Sequence, residues 1–161
     1  MKHRRLIHIL RFEGSALLVS AAATIFIYTG VAKLIDPAAF SKTIASHGLL
    51  PADLAPNIAW GVIALELAIG ISALWLVLGE RRIKPAAIAT AILFGSFAWY
   101  AGAMVLFPPP APASCGCAWA SAANDQPANW RVIAGRDSVA AALLLLMIPA
   151  ASQTRAQRSP R

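Results

Sequence analysis

The sequence predicts an all-α fold: an integral membrane four-helix bundle, both termini cytoplasmic, with a short amphipathic helix in the first outer loop. Three observations carry this. The chain of 161 residues is 58% hydrophobic and 13% charged, against about 25% charged in soluble domains, and its mean hydropathy is +0.64. Apolar stretches near the roughly 20 residues needed to cross a bilayer recur four times. The basic residues between those stretches fall mostly on one side. The length suits a single membrane domain over 1–161.

The first span is expected at about 14–35. Lys2 to Arg5 is basic and Ala21-Ala22-Ala23 resembles a small-residue cleavage site, so a removed signal peptide is the competing reading. The apolar run continues to Ile35, longer than the roughly 7–15 residues of a signal core, and favours a retained helix. The first outer loop, Asp36 to Asn57, is amphipathic: Phe40, Ile44, Leu49 and Leu50 recur among Ser41, Lys42, Ser46 and His47. Asp36-Pro37 reads as an N-cap with proline at the first helical position, and Gly48 and Pro51 end the helix, which is expected on the membrane surface.

The second span is expected at about 58–78, a tight turn follows, and the third span covers about 86–107. Gly61, Ala64, Ala68, Gly95 and Gly102 are small residues suited to close helix packing. Pro108-Pro109-Pro110-Ala111-Pro112 predicts an extended arm, leading to Cys115-Gly116-Cys117 and to Trp130 as an interfacial anchor. The fourth span, about 131–151, is the weakest. Its clean apolar run, 138–151, is about 21 Å long as helix, so it crosses only by drawing Arg136 and Asp137 into the outer leaflet. A polar, disordered tail is expected over 152–161.

The net charge of +7 is a topology signal rather than a nucleic-acid site. Lys2, Arg4, Arg5, Arg11, Arg81, Arg82, Lys84, Arg155, Arg158 and Arg161 share one side. Lys33, Lys42, Arg131 and Arg136 lie on the other. The positive-inside rule puts the first group in the cytoplasm and the Cys115-Gly116-Cys117 loop outside. No nucleic-acid partner is expected; the lipid bilayer is.

Cys115 and Cys117 are the only two cysteines. In an oxidising compartment such a pair forms a disulfide. A structural staple gains little from so short a loop, roughly 1.6 kcal/mol against about 3 for fifteen residues. The tight ring favours a labile bond, and Gly116 tolerates the bend. A redox-active pair, a staple and a Cu(I) or Zn site remain the alternatives. The metal reading is the poorest, since only His47 or Met104 is placed to complete a shell.

Charges buried in the spans form a second candidate group. Glu66 lies a third to halfway along the second span, where an ionised carboxylate needs a partner or a proton. Lys33 and Asp36 close the first span; Arg136 and Asp137 open the fourth. Arg136 is expected to pair with Glu66 or Asp36, with snorkelling to the interface as the bland reading. Arg131 or Arg136 would favour the reactive thiolate of Cys115 or Cys117, and Glu66 or Asp137 would relay its proton. Trp99 and Tyr100, in mid-span, read as core packing, with a quinone pocket as the sharper alternative.

Tyr28-Thr29-Gly30-Val31-Ala32-Lys33-Leu34-Ile35-Asp36-Pro37-Ala38-Ala39-Phe40 resembles the first-span signature of the DoxX-like superfamily. Leu49-Leu50-Pro51, Glu66 with Gly70, Cys115-Gly116-Cys117, Trp130 and Arg136 resemble its methylamine-utilisation branch, the MauE family. The resemblance covers about 21–146. Two positions depart from the family pattern: Ala118-Trp119 stands where Phe-Gly is common, and Asp137 where Asn is. The resemblance implies a multi-pass protein of the bacterial inner membrane that serves maturation of exported, disulfide-containing cargo such as the methylamine dehydrogenase small subunit. It marks Lys33, Asp36, Glu66, Cys115, Cys117 and Arg136 as the family-like polar residues.

The leading expectation is a maturation factor, and a possible thiol–disulfide oxidoreductase, whose partners are a periplasmic client protein with disulfides and a thioredoxin-like protein. The alternatives are a quinone-linked oxidoreductase subunit of DoxX type and a metal or solute permease. No resident cofactor is expected, quinone being the exception under the first alternative. A self-sufficient thiol oxidase would want a second cysteine pair, which the chain lacks. A permease would want a polar path through the inner halves of the spans, which are almost free of ionisable residues.

Overall fold

The computed structural model describes residues 2–79, 83–110 and 128–157, with side chains described for 13–79, 83–110 and 128–146. Every regular element among them is helical. In chain order these are α1 (Lys2–Ile35), α2 (Pro37–Ser46), a single 3₁₀ turn (Ala52–Leu54), α3 (Ala55–Leu78), α4 (Ile83–Leu106) and α5 (Trp130–Gln157). The four long helices close into a ring in the order α1, α3, α4, α5, and α5 returns to α1. Contact is most extensive between α4 and α5 and between α1 and α3, while α2 folds back chiefly onto α3.

Three segments are long and apolar enough to cross a membrane: Glu13–Ile35, Ala52–Leu78 and Ile83–Leu106. Their outward faces carry exposed Leu17, Ile71, Trp75, Ile92, Trp99 and Leu106. A soluble monomer rarely shows so continuous an apolar surface; lipid is its natural solvent, and the chain is a helical membrane protein. α5 begins at Trp130, beside the expected start, where Asn129 caps it by accepting from Val132 N at 3.3 Å. It includes Arg131, Arg136 and Asp137 and runs to Gln157, past the expected boundary at 151 and into the segment expected to be disordered. The residues beyond that boundary include Gln, Arg and Ala, which favour helix.

At the end nearest the α3–α4 turn, the core is dry and built from small residues. Ala22, Ala23, Ala73, Ala86, Ala87, Ala91 and Ala141 pack with Val19, Phe26, Phe94 and Leu144. Phe26 of α1 meets Phe94 of α4 across the ring at 4.6 Å between centroids. Among the described residues Ser15 and Thr90 are buried polar side chains at this end, and Thr90 turns its hydroxyl to the Ala86 carbonyl at 2.8 Å. Small side chains are what bring helices together in lipid, because apolar contact alone gives no driving force there.

The glycines that bring the helices close are not the ones expected. A Cβ on Gly61, Gly95 or Gly102 would meet open space, and Ala64 and Ala68 face outward. The close approach lies between α1 and α3. A Cβ on Gly70 would sit 2.8 Å from Ile27 Cγ1 and 2.9 Å from the Ala23 carbonyl oxygen, and one on Gly30 would sit 2.9 Å from Leu67.

Candidate functional site

The opposite end of the bundle, under α2, is built differently. Asp36 ends α1 and caps α2: its Oδ1 accepts from Ala39 N at 2.9 Å, and Pro37 occupies the first turn. This is the cap expected from Asp36-Pro37. The apolar side of α2 turns inward, and Ile44 packs on Ala55 and Ala59 of α3. α2 is therefore a roof on the end of α3 rather than a helix floating on the bilayer. It ends at His47, and Gly48 reverses the chain at φ +70°, a backbone conformation open to glycine at no steric cost.

Beneath this roof lies a cavity of about 340 Å³ with mostly apolar walls. Polar groups enter it from α1, α3, α4 and α5. Lys33, in the last turn of α1, donates to and pairs with Glu66 of α3. Both are buried: Glu66 is 1% exposed and Lys33 7%. The local sequence explains the meeting. Thr29 and Lys33 stand one turn apart on one face of α1, and the Thr29 hydroxyl lies 3.3 Å from Glu66 Oε2. Gly30 between them lets α3 approach. The ammonium sits near the C-terminus of α1, where the helix dipole favours a cation, and lies over Phe40 at 5.1 Å and Phe97 at 5.7 Å.

Two further polar pairs line the same cavity. His47 Nδ1 is 2.5 Å from the Tyr100 hydroxyl, and Trp130 meets the His47 ring edge-on at 5.2 Å. Arg136 Nε donates to Asp137 Oδ1 at 2.8 Å; Asp137 is buried, whereas the Arg136 side chain is 41% exposed. The whole set carries two cations and two anions in two ion pairs.

The structure therefore brings Lys33, Glu66, Arg136 and Asp137 to one cavity and leaves Asp36 outside it as an exposed cap. The pairing differs from the expected one. Glu66 is met by Lys33, and Arg136 bends back to its own neighbour. Depth along the spans gave all of these groups a similar level; the direction each one faces around its helix selected the partners. Trp99 also differs from core packing: it lines the cavity from one side yet is 76% exposed, so it faces lipid. No local pattern joins Thr29 to Glu66 or His47 to Tyr100, because these contacts link residues 37 and 53 positions apart. The small-to-polar order Thr29-Gly30 with Lys33 was the available signal.

Cys115 and Cys117 lie outside the described residues, but both flanks of their segment are placed. Pro110 packs against Gly48, 3.2 Å from where a glycine Cβ would stand. Trp130 packs on His47. Pro110 and Trp130 thus both lie beside the C-terminal end of α2. Among the described residues no cluster of three or more His, Cys, Asp or Glu is positioned to hold a metal ion.

Comparison with curated proteins and with solved structures returns no match. The family model for methylamine utilisation protein MauE matches residues 12–150. That range takes in α1 from residue 12, the roof helix, the buried ion pair and the first three quarters of α5. A match over most of the length, on a helical membrane bundle with this polar end, assigns the chain to the MauE family.

Proposed function

We propose that this MauE protein serves methylamine utilisation as an inner-membrane maturation factor. Its clients are exported, disulfide-containing proteins of the kind represented by the methylamine dehydrogenase small subunit. The chemistry is thiol–disulfide exchange at Cys115 and Cys117. The observation that supports this reading above others is the anchoring of both flanks of the thiol segment, by Pro110 on Gly48 and Trp130 on His47, at the end of the bundle that holds the two ion pairs. The distribution of basic residues favours that end facing the periplasm.

In this reading a client thiolate attacks the Cys115–Cys117 disulfide, forming a mixed disulfide and releasing one thiolate. A second client thiolate then displaces the remaining bond. The client gains one disulfide, and the pair takes up two electrons and becomes a dithiol. Exchange with an oxidised thioredoxin-like partner restores it by the same steps in reverse. Arg131, exposed one residue past Trp130, lends positive potential that favours a leaving thiolate. Lys33 and Glu66 are locked together and hold α1 to α3 beneath the reacting end.

Replacing one cysteine strands the mixed disulfide. Cys115→Ser and Cys117→Ser proteins, recovered from cells under acid quench, are expected to yield, in at least one case, a covalent adduct with an exported client that reductant releases. Absence of an adduct from both, with normal client disulfides in the double serine variant, would remove the proposal.

A further inference from the structure

We propose that the cavity under α2 is a binding site for the head ring of a lipid-borne quinone. The inference goes beyond the thiol reading and does not depend on Cys115 or Cys117.

Size sets the first limit. A space of about 340 Å³ lies at the low end of small-molecule sites. It holds a substituted six-membered ring with the start of a tail and is too small for a whole two-chain lipid. The walls set the second. Phe26, Phe40, Phe94, Phe97, Tyr100 and Trp130 all line it, and aromatic faces and edges select a flat ring over a flexible acyl chain.

Charge sets the third limit. The two cations and two anions in the cavity are already paired with each other. An ionised ligand would bring an unpaired charge into a mostly apolar space, where burial strongly disfavours it, so the ligand is neutral. Lys33 supplies its recognition. An ammonium has three donors, and among the described residues only Glu66 receives one of them. The Nζ that carries the other two N–H groups lies over the Phe40 and Phe97 rings, and Lys33 lines the cavity. A quinone carbonyl is a neutral acceptor on a flat ring and matches both features. Access is the fourth observation. Trp99 lines the cavity and is 76% exposed on the apolar face of α4, so its side chain stands between the cavity and the lipid-facing surface. A molecule dissolved in the bilayer enters there without crossing water.

The test uses the full chain in lipid nanodiscs and calorimetric titration with decylubiquinone, with dioctanoylglycerol as a neutral acyl competitor. Saturable binding at one site per chain is expected, undisturbed by the competitor. Lys33→Met/Glu66→Gln, which removes both charges together and leaves neither orphaned, should weaken binding at least about tenfold. Ile133→Trp, which fills the cavity from α5, should do the same, whereas Ile71→Ala on the lipid face should not. The Cys115→Ser/Cys117→Ser protein should bind like the wild type, which separates this site from the thiol chemistry. Non-saturable uptake equal in all variants, or displacement by dioctanoylglycerol at equal concentration, would overturn the assignment.

Discussion

The two ends of this bundle solve the same problem by different means. Near the α3–α4 turn, helices meet through alanines and a dry core, and Thr90 satisfies its hydroxyl on its own helix. Under α2, they meet through buried polar groups that find partners on other helices, around space left open. In lipid, burying apolar side chains does not by itself distinguish one helix arrangement from another. Close small-residue contacts set distance at one end. The ion pair sets register at the other, and it leaves polar groups available to a ligand.

That contrast is breakable, and the largest effect is expected at the ion pair. Lys33→Met should cost about 3–5 kcal/mol of stability, because it leaves the Glu66 charge buried alone; unfolding in mixed micelles measures this. Adding Glu66→Gln should recover most of the loss, since the penalty belongs to the orphaned charge rather than to the missing pair. A single variant as stable as the wild type would show that the pair is not buried in the folded protein.

Smaller effects sharpen the comparison. Gly70→Ala pushes a methyl into the Ala23 carbonyl and Ile27 and should cost about 1–3 kcal/mol. Gly61→Ala, which meets open space, should stabilise by up to about 1 kcal/mol through helix propensity. Equal responses at the two glycines would refute the assignment of Gly70 as the crossing point. Tyr100→Phe removes the hydroxyl bonded to His47 and should cost about 0.5–1.5 kcal/mol, read in the same unfolding assay.

Much of this architecture was legible in the chain. Long apolar runs specify spans, and Asp36-Pro37 followed by Phe40 and Ile44 specifies a capped amphipathic helix, because both signals are local. The polar level was legible too: Lys33, Glu66, Arg136 and Asp137 stand out in apolar surroundings. Their partnering was not, since depth says nothing of the direction a side chain faces. Gly70 and Gly61 look alike in sequence; only the α1–α3 crossing distinguishes them. The roof over the cavity was hidden for the same reason. The apolar side of α2 would suit lipid as well as α3, and the Ile44 contact with Ala55 and Ala59 decides between them.

Exchange with exported clients requires the polar end to face outward, and thiol accessibility measures this most directly. Spheroplasts and inverted membrane vesicles, each treated briefly with reductant, are labelled with a membrane-impermeant maleimide at Cys115 and Cys117. Labelling in spheroplasts, with protection in sealed inverted vesicles, is the result expected if α2 and the thiol segment lie outside the membrane. Labelling confined to inverted vesicles would place both in the reducing cytosol and contradict the proposed chemistry.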